Sequence, residues 1–288
     1  MAANRRKTVL DIQKMKAAGE PIAMLTAYDV TSARLSERAG VPMLLVGDTL
    51  GMVIQGHSST IPVTLEQMIY HAGIVVRSTE TPLIVGDLPF GTYTVSEAQA
   101  LETSIRLMQE SGVSAVKLEG GVTMAPAIER IVAVGIPVMA HIGLTPQSVN
   151  SFGGFKVQGR DIETARQLMR DAEAVQAAGA FAVVLELVPT PLATAITERL
   201  DIPTIGIGAG VGTDGQVQVF HDILGLFDDF VPRHTQRYAE IGAAMQDSIG
   251  QYVADVSARE FPTASNAFGM RDEVLSEVLG QSERDQSE

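Results

Sequence analysis

Short apolar runs rich in Val, Ile and Leu alternate along the chain with longer amphipathic stretches. The runs predict strands at residues 22–26, 43–46, 83–86, 115–118, 138–140, 182–187 and 204–207, with a weak eighth near 223–226. Pro42, Pro82, Pro137 and Pro203 stand at strand entries, where no ladder donor is yet needed. The stretches between predict helices, among them 96–111, 124–134, 161–178 and 191–200, and Gly40, Gly112, Gly135 and Gly179 sit where several helices should stop. Thr8 can cap a further helix ahead of the first strand, with Val9, Leu10, Ile12 and Met15 at helical spacing and Gly19 at its end.

Strands apolar on both faces, each followed by a helix, imply an all-parallel α/β sheet. Eight repeats in about 250 residues fit a (β/α)8 TIM barrel, here with an N-terminal helix before the first strand. A doubly wound open sheet is the alternative. The reading is a single catalytic barrel domain over residues 1–262, followed by a polar tail at 263–288 with one short helix near 272–279 and a disordered end. Two connections, 49–64 and 143–160, are long for a compact domain, and both leave from strand C-terminal ends, where barrel active sites are built.

Composition narrows the chemistry. The 288 residues carry 21 Lys and Arg against 34 Asp and Glu, a net charge of −13, with no basic stripe to grip nucleic acid or an anionic membrane. With no cysteine, disulfides, thiolate nucleophiles and Cys-ligated metal are excluded. Residues 1–10 are basic without an apolar core, and no run approaches the ~20 apolar residues of a membrane span, so a cytoplasmic enzyme is expected.

Charged residues close the otherwise apolar strands: Asp48, Asp87, Lys117 with Glu119, His141 and Glu186. In a barrel these side chains would converge on one mouth, and Lys117 and Glu119, two apart, would share a side. An oxygen-rich set without cysteine suits a hard divalent cation such as Mg2+ or Mn2+, which could hold a 2-oxo acid by its carboxylate and keto oxygens. Lys117 would stabilise anionic oxygen, and Glu186, set among Val and Leu, would be a base strengthened by desolvation. Taken singly, each has a bland alternative: a helix cap for Asp48 or Asp87, an ion pair for Lys117 and Glu119, a core histidine for His141. Their joint occurrence favours a site.

Other features carry less. Gly206-Ile207-Gly208-Ala209-Gly210 is similar to a barrel phosphate loop, yet equally fits tight packing or approach to a flat heterocycle. His57 could sit on a lid, His71 and Asp29 read as structural, and His221 and Asp222 could cap the last unit.

At the same residues the sequence resembles the ketopantoate hydroxymethyltransferase (3-methyl-2-oxobutanoate hydroxymethyltransferase) family. The resemblance rests on Met24-Leu25-Thr26-Ala27-Tyr28-Asp29, Val46-Gly47-Asp48-Thr49-Leu50-Gly51-Met52, Asp87-Leu88-Pro89-Phe90-Gly91 and Val116-Lys117-Leu118-Glu119-Gly120-Gly121. It continues through Ala140-His141-Ile142-Gly143-Leu144-Thr145-Pro146-Gln147, Leu185-Glu186, the glycine-rich run at 206–210 and Asp214-Gly215-Gln216, covering roughly residues 7–262. It implies a (β/α)8 barrel that transfers a hydroxymethyl group from 5,10-methylenetetrahydrofolate to α-ketoisovalerate, giving ketopantoate in pantothenate and coenzyme A biosynthesis. By position, Asp48 and Asp87 would ligate Mg2+, one ion per subunit, with Glu119 a third acidic group acting through water. Asp48, Thr49, Asp87 and Lys117 would contact substrate, Glu186 would accept the proton, and His141 would be a site histidine. The family often has Ser where this chain has Thr49, which a backbone contact tolerates better than a hydroxyl contact. The family also implies a homo-oligomer, typically a decamer. Rival readings are a metal-dependent lyase or mutase of phosphoenolpyruvate- or oxaloacetate-like acids, and a catalytically silent keto-acid or folate-binding module.

Overall fold

The computed structural model describes residues 5–226 and 231–280. It separates into two compact units, Met1–Ala239 and Glu240–Glu288, so the domain boundary expected at residue 262 falls inside the second unit.

The first unit is a closed barrel of eight parallel strands in sequence order: β1 (Ile22–Thr26), β2 (Met43–Val46), β3 (Leu83–Asp87), β4 (Ala115–Glu119), β5 (Val138–Gly143), β6 (Ala182–Glu186), β7 (Thr204–Ile207) and β8 (Gly215–Gln218). Its helices are α1 (Val9–Ala17), α2 (Val30–Arg38), the short α3 (Leu50–Val53), α4 (Leu65–Ser78), α5 (Glu97–Ser111), α6 (Ala125–Val132), the short α7 (Val149–Phe152), α8 (Ile162–Ala177), α9 (Thr190–Arg199) and the short α10 (Phe220–Ile223). The second unit holds α11 (Ile241–Ala258) and α12 (Asp272–Val278). Among the described residues no helix is long and apolar enough to cross a membrane. The expected disordered end of the tail, 281–288, lies outside the described residues.

Two apolar layers arise from the period of two along each strand. Leu44, Val46, Ile84, Val116, Leu118, Val138, Ala140, Val183 and Leu185 face outward and pack with helix residues such as Met68, Leu107, Ile131 and Val175. Met24, Met43, Leu45, Leu83, Val85, Ala115, Met139, Ala182, Val184, Ile205 and Val217 belong to a separate inner cluster, joined by Ile12 of α1. Helix α1 closes the N-terminal mouth. The Lys7 amide donates to the Thr81 carbonyl at 2.8 Å, and Lys16 Nζ lies 2.9 Å from Asp214 Oδ2, just before β8.

Local chemistry explains the helix starts. Thr64 and Ser96 accept from the amides of Gln67 and Gln99 to cap α4 and α5, while Asp29 takes the Ser32 amide at 2.7 Å and caps α2. The eighth strand departs from the expectation. It lies at Gly215–Gln218, and residue 223 instead ends α10, its amide bonded to the Val219 carbonyl. Strand β8 has one apolar inward residue, Val217, so its hydrophobicity is too low to mark it.

Gly215 pairs with Ile22 and Ile205 across two strand junctions. A Cβ there would strike the Ile22 carbonyl oxygen and side chain. Gly215→Ala should destabilise the barrel by about 2 kcal/mol, read as a lower urea midpoint at unchanged slope.

Candidate active site

The inner phase of the strands is apolar at the base of the barrel and polar at the top. Continuing each inner series upward, Leu83 and Val85 lead to Asp87, Ala115 leads to Lys117 and Glu119, Met139 leads to His141, and Ala182 and Val184 lead to Glu186. Asp48 follows β2 and starts the turn into α3. The site is thus the top storey of the barrel interior, on the face opposite α1.

The structure brings these side chains into one connected set. Lys117 Nζ donates to Asp87 Oδ1 at 2.8 Å and lies 3.3 Å from His141 Nδ1. Asp87 Oδ2 faces the Asp48 amide at 3.4 Å. His141 Nδ1 is 3.7 Å from Glu119 Oε1, and His141 Nε2 is 3.3 Å from Glu186 Oε2. The ammonium can only donate, so Nδ1 accepts and the neutral imidazole carries its proton on Nε2, toward Glu186. That Nε2 has no hydrogen-bond partner within the protein. Thr49, half-buried beside Asp48, begins the turn of α3 through its carbonyl, which accepts from Met52 and Val53.

Burial dominates the electrostatics. Desolvation, reinforced by Asp87, pushes the Asp48 carboxyl up to about 7. Burial also holds Glu119 well above the usual carboxylate range. It raises Glu186 to about 7, partly opposed by His234 and Lys117. His141 is held well below its ordinary value, first by burial and then by Lys117, and stays neutral. Burial alone would lower Lys117, but Asp87, Glu119 and Asp48 outweigh it and raise it, so the ammonium persists.

Four carboxyl groups therefore surround one buried cation. A divalent ion fits that donor set, because Asp48 and Asp87 offer hard oxygens and the carboxyl groups outnumber the single ammonium. Among the described residues no three carboxylate or imidazole groups form a protein-only cage.

Residues that the sequence left without a role complete the set. Gln147, in the single turn after β5, bonds Asp48, Leu88, Tyr93 and Glu119, and Tyr93 bonds Gln147 and the Glu119 amide. No local pattern marks them, since Gln147 meets partners 28 to 99 positions away. His234 is a further miss, lying near Glu186 and against Gly208.

The secondary candidates resolve differently. His71 Nδ1 contacts the Tyr28 carbonyl at 2.7 Å, a structural role, and His57 is exposed. His221 and Asp222 lie within α10. In the glycine-rich run, a Cβ at Gly210 would strike Thr190, and one at Gly206 would crowd Thr213, so these glycines serve close packing of the β7–β8 connection.

The sequence profile of the family described as ketopantoate hydroxymethyltransferase matches residues 6–264. The chain belongs to the ketopantoate hydroxymethyltransferase family. Relatives named 3-methyl-2-oxobutanoate hydroxymethyltransferase from Chloroflexus aggregans and Roseiflexus sp. are 57% and 58% identical, over 96% and 95% of this chain and 99% and 98% of theirs. Phosphoenolpyruvate phosphomutase from Streptomyces platensis subsp. rosaceus matches as a structure with a TM-score of 0.58 at 16% identity, covering 96% of each chain. A phosphonopyruvate hydrolase structure, with oxalate and Mg2+, matches at a TM-score of 0.59 and 12% identity over 96% of each chain. These two show the shared barrel, while the family supplies the ketopantoate hydroxymethyltransferase assignment.

Crowded carboxylates cost stability while no cation is present. Asp48→Asn should stabilise the metal-free protein by about 1 kcal/mol, measured by urea unfolding in EDTA at about pH 8. Equal midpoints would show that repulsion from Asp87 is not felt in the fold.

Proposed function

We propose that this chain transfers a hydroxymethyl group from 5,10-methylenetetrahydrofolate to α-ketoisovalerate, making ketopantoate for pantothenate and coenzyme A synthesis. The observation that carries this reading is the placement of a desolvated base, Glu186, beside the Asp48, Asp87 and Lys117 cluster in a barrel of this family. The seven candidate residues divide the work. Asp48 and Asp87 would hold Mg2+, and Glu119 would reach it through water. Bound there, the cation would supply a Lewis acid that polarises the keto group and acidifies the neighbouring C–H.

The chain's own groups do the rest. Lys117 compensates negative charge on the substrate oxygens, and Asp48, Thr49 and Asp87 orient the acid at the mouth. Glu186 takes the C3 proton, its strength as a base raised by burial. The Nε2–H of His141, 3.3 Å from Glu186 Oε2 but making no hydrogen bond within the protein, is free to donate to the substrate oxygen. The C3 electron pair then forms the new bond to the folate-borne methylene carbon. Both C–N bonds of that methylene break, one water supplies the hydroxyl oxygen, and the two freed folate nitrogens take up the second proton of that water and the proton that Glu186 removed. The folate lies across the mouth beneath the long connections.

Two broader assignments accompany this. A chain without cysteine that carries a biosynthetic site suits the cytoplasm. Helix α11 buries none of its residues and exposes Met245, Ile249, Tyr252 and Val253, which supports a homo-oligomer, a decamer by likeness to the family.

Purified protein given both substrates should form ketopantoate, and EDTA should abolish product until Mg2+ is restored. Cleavage of phosphoenolpyruvate- or oxaloacetate-like acids without folate would instead favour the lyase or mutase reading. For the base, protein with Mg2+ in D2O should wash deuterium into C3 of α-ketoisovalerate, and Glu186→Gln should slow this by about 100-fold or more while the acid still binds. The carboxylate is the active form, so exchange should rise tenfold per pH unit and level off above about 7. The stability effect has the opposite sign. Glu186 is raised in the folded state, so its contribution is present below the unfolded value and lost as pH climbs through about 7. Glu186→Gln should therefore gain on the wild type in alkali. Native exchange by Glu186→Gln would require another base.

A further inference from the structure

Gln147 is buried at the centre of the site, and its amide is spent almost entirely on groups that the reaction uses. Both hydrogens of Nε2 are committed, to Asp48 Oδ2 at 2.8 Å and to the Leu88 carbonyl at 2.9 Å. Oε1 accepts from the Tyr93 hydroxyl at 2.7 Å. The Tyr93 oxygen in turn takes the Glu119 amide at 3.3 Å. These partners fix which way the amide points. Turned over, its carbonyl would face a carboxylate oxygen and a peptide oxygen, two repulsions in place of two bonds. The backbone contributes as well. Gln147 sits in the first turn of the 3-10 helix at Pro146–Ser148, where an amide has no intrahelical acceptor, and that amide donates to Glu119 Oε2 at 3.0 Å.

One residue thus ties two acidic side chains from separate strands to the segment after a third strand. Burying a primary amide without partners is costly, so this network is held only because each group is matched. We propose that Gln147 is a positioning residue: it ties off Asp48 Oδ2 so that Oδ1 would be the oxygen left for the cation, and its backbone amide fixes Glu119 through Oε2. Tyr93 locks the amide in that orientation. The inference rests on the reading of Asp48 as a metal ligand and extends it to the groups that orient the ligand. Such outer partners commonly govern metal affinity by 10- to 100-fold.

The test is Mn2+ affinity with α-ketoisovalerate in place, free Mn2+ being read by electron paramagnetic resonance, for wild type, Gln147→Met, Tyr93→Phe, the double variant and Asp48→Ala. Gln147→Met keeps the side chain's length and volume while removing its hydrogen bonds. We expect its Mn2+ Kd to rise about 10- to 100-fold, with a smaller rise for Tyr93→Phe. The double variant should bind no worse than Gln147→Met alone, because Tyr93 acts through the amide. Thermal midpoints within a few degrees of wild type would separate this effect from a general loosening. If Asp48→Ala loses Mn2+ but Gln147→Met binds as wild type does, the positioning role is overturned while the metal site stands. If Asp48→Ala also binds as wild type does, the metal reading fails and this inference falls with it. Should Gln147→Met not fold, Tyr93→Phe decides, and an unchanged Kd there overturns the proposal. Single effects that multiply in the double variant overturn the lock by Tyr93.

Discussion

The organising constraint is the burial of four carboxyl groups around one ammonium at the top of the barrel. In water such groups would repel weakly, but within the protein the repulsion is several times larger and desolvation is added to it. The 2.8 Å contact between Lys117 and Asp87 is what keeps the arrangement tolerable. It holds a charged lysine where burial would otherwise discharge it, and that charge helps keep the adjacent imidazole neutral. Burial therefore sets the direction in which the surrounding groups shift, and the lysine charge moderates it.

The fold supplies this environment through repetition. Each strand alternates sides, so the inner positions form a column, and the lower members of each column are Met, Leu, Val, Ile or Ala. They interlock into a packed base that cannot hydrate the groups above. The upper members carry the chemistry, as expected where a barrel's strands end. Gln147 and Tyr93 then bind the loops to those upper members, which makes the mouth a continuation of the rigid sheet. The mixed character of the strands, apolar below and charged above, is the shared signature of fold and site.

That same signature explains what could be read beforehand. The chain shows Asp48, Asp87, Lys117, Glu119, His141 and Glu186 at the ends of hydrophobic runs because parallel strands bury both faces and tolerate charge only at the top. Asp29 reads from the sequence only as structural, and the structure gives that role its form, a cap on the amide three residues on. Strand β8 was not legible, since it is recruited by pairing with β1 and β7 and has little apolar surface of its own. Gln147 and Tyr93 escaped for a related reason. Their meaning depends on contacts across the barrel, and a glutamine in a loop has no local feature that announces a buried network.

The seal at the other end has a kinetic corollary. Helix α1 plugs the floor with Ile12, which leaves the C-terminal mouth as the approach to the site. Under the proposed reaction, a small acid seated on the carboxylates and a bulky pterin donor above it would queue, the acid entering first and its product leaving last. Compulsory ordering of this kind needs no moving lid; it follows from a corridor closed at one end.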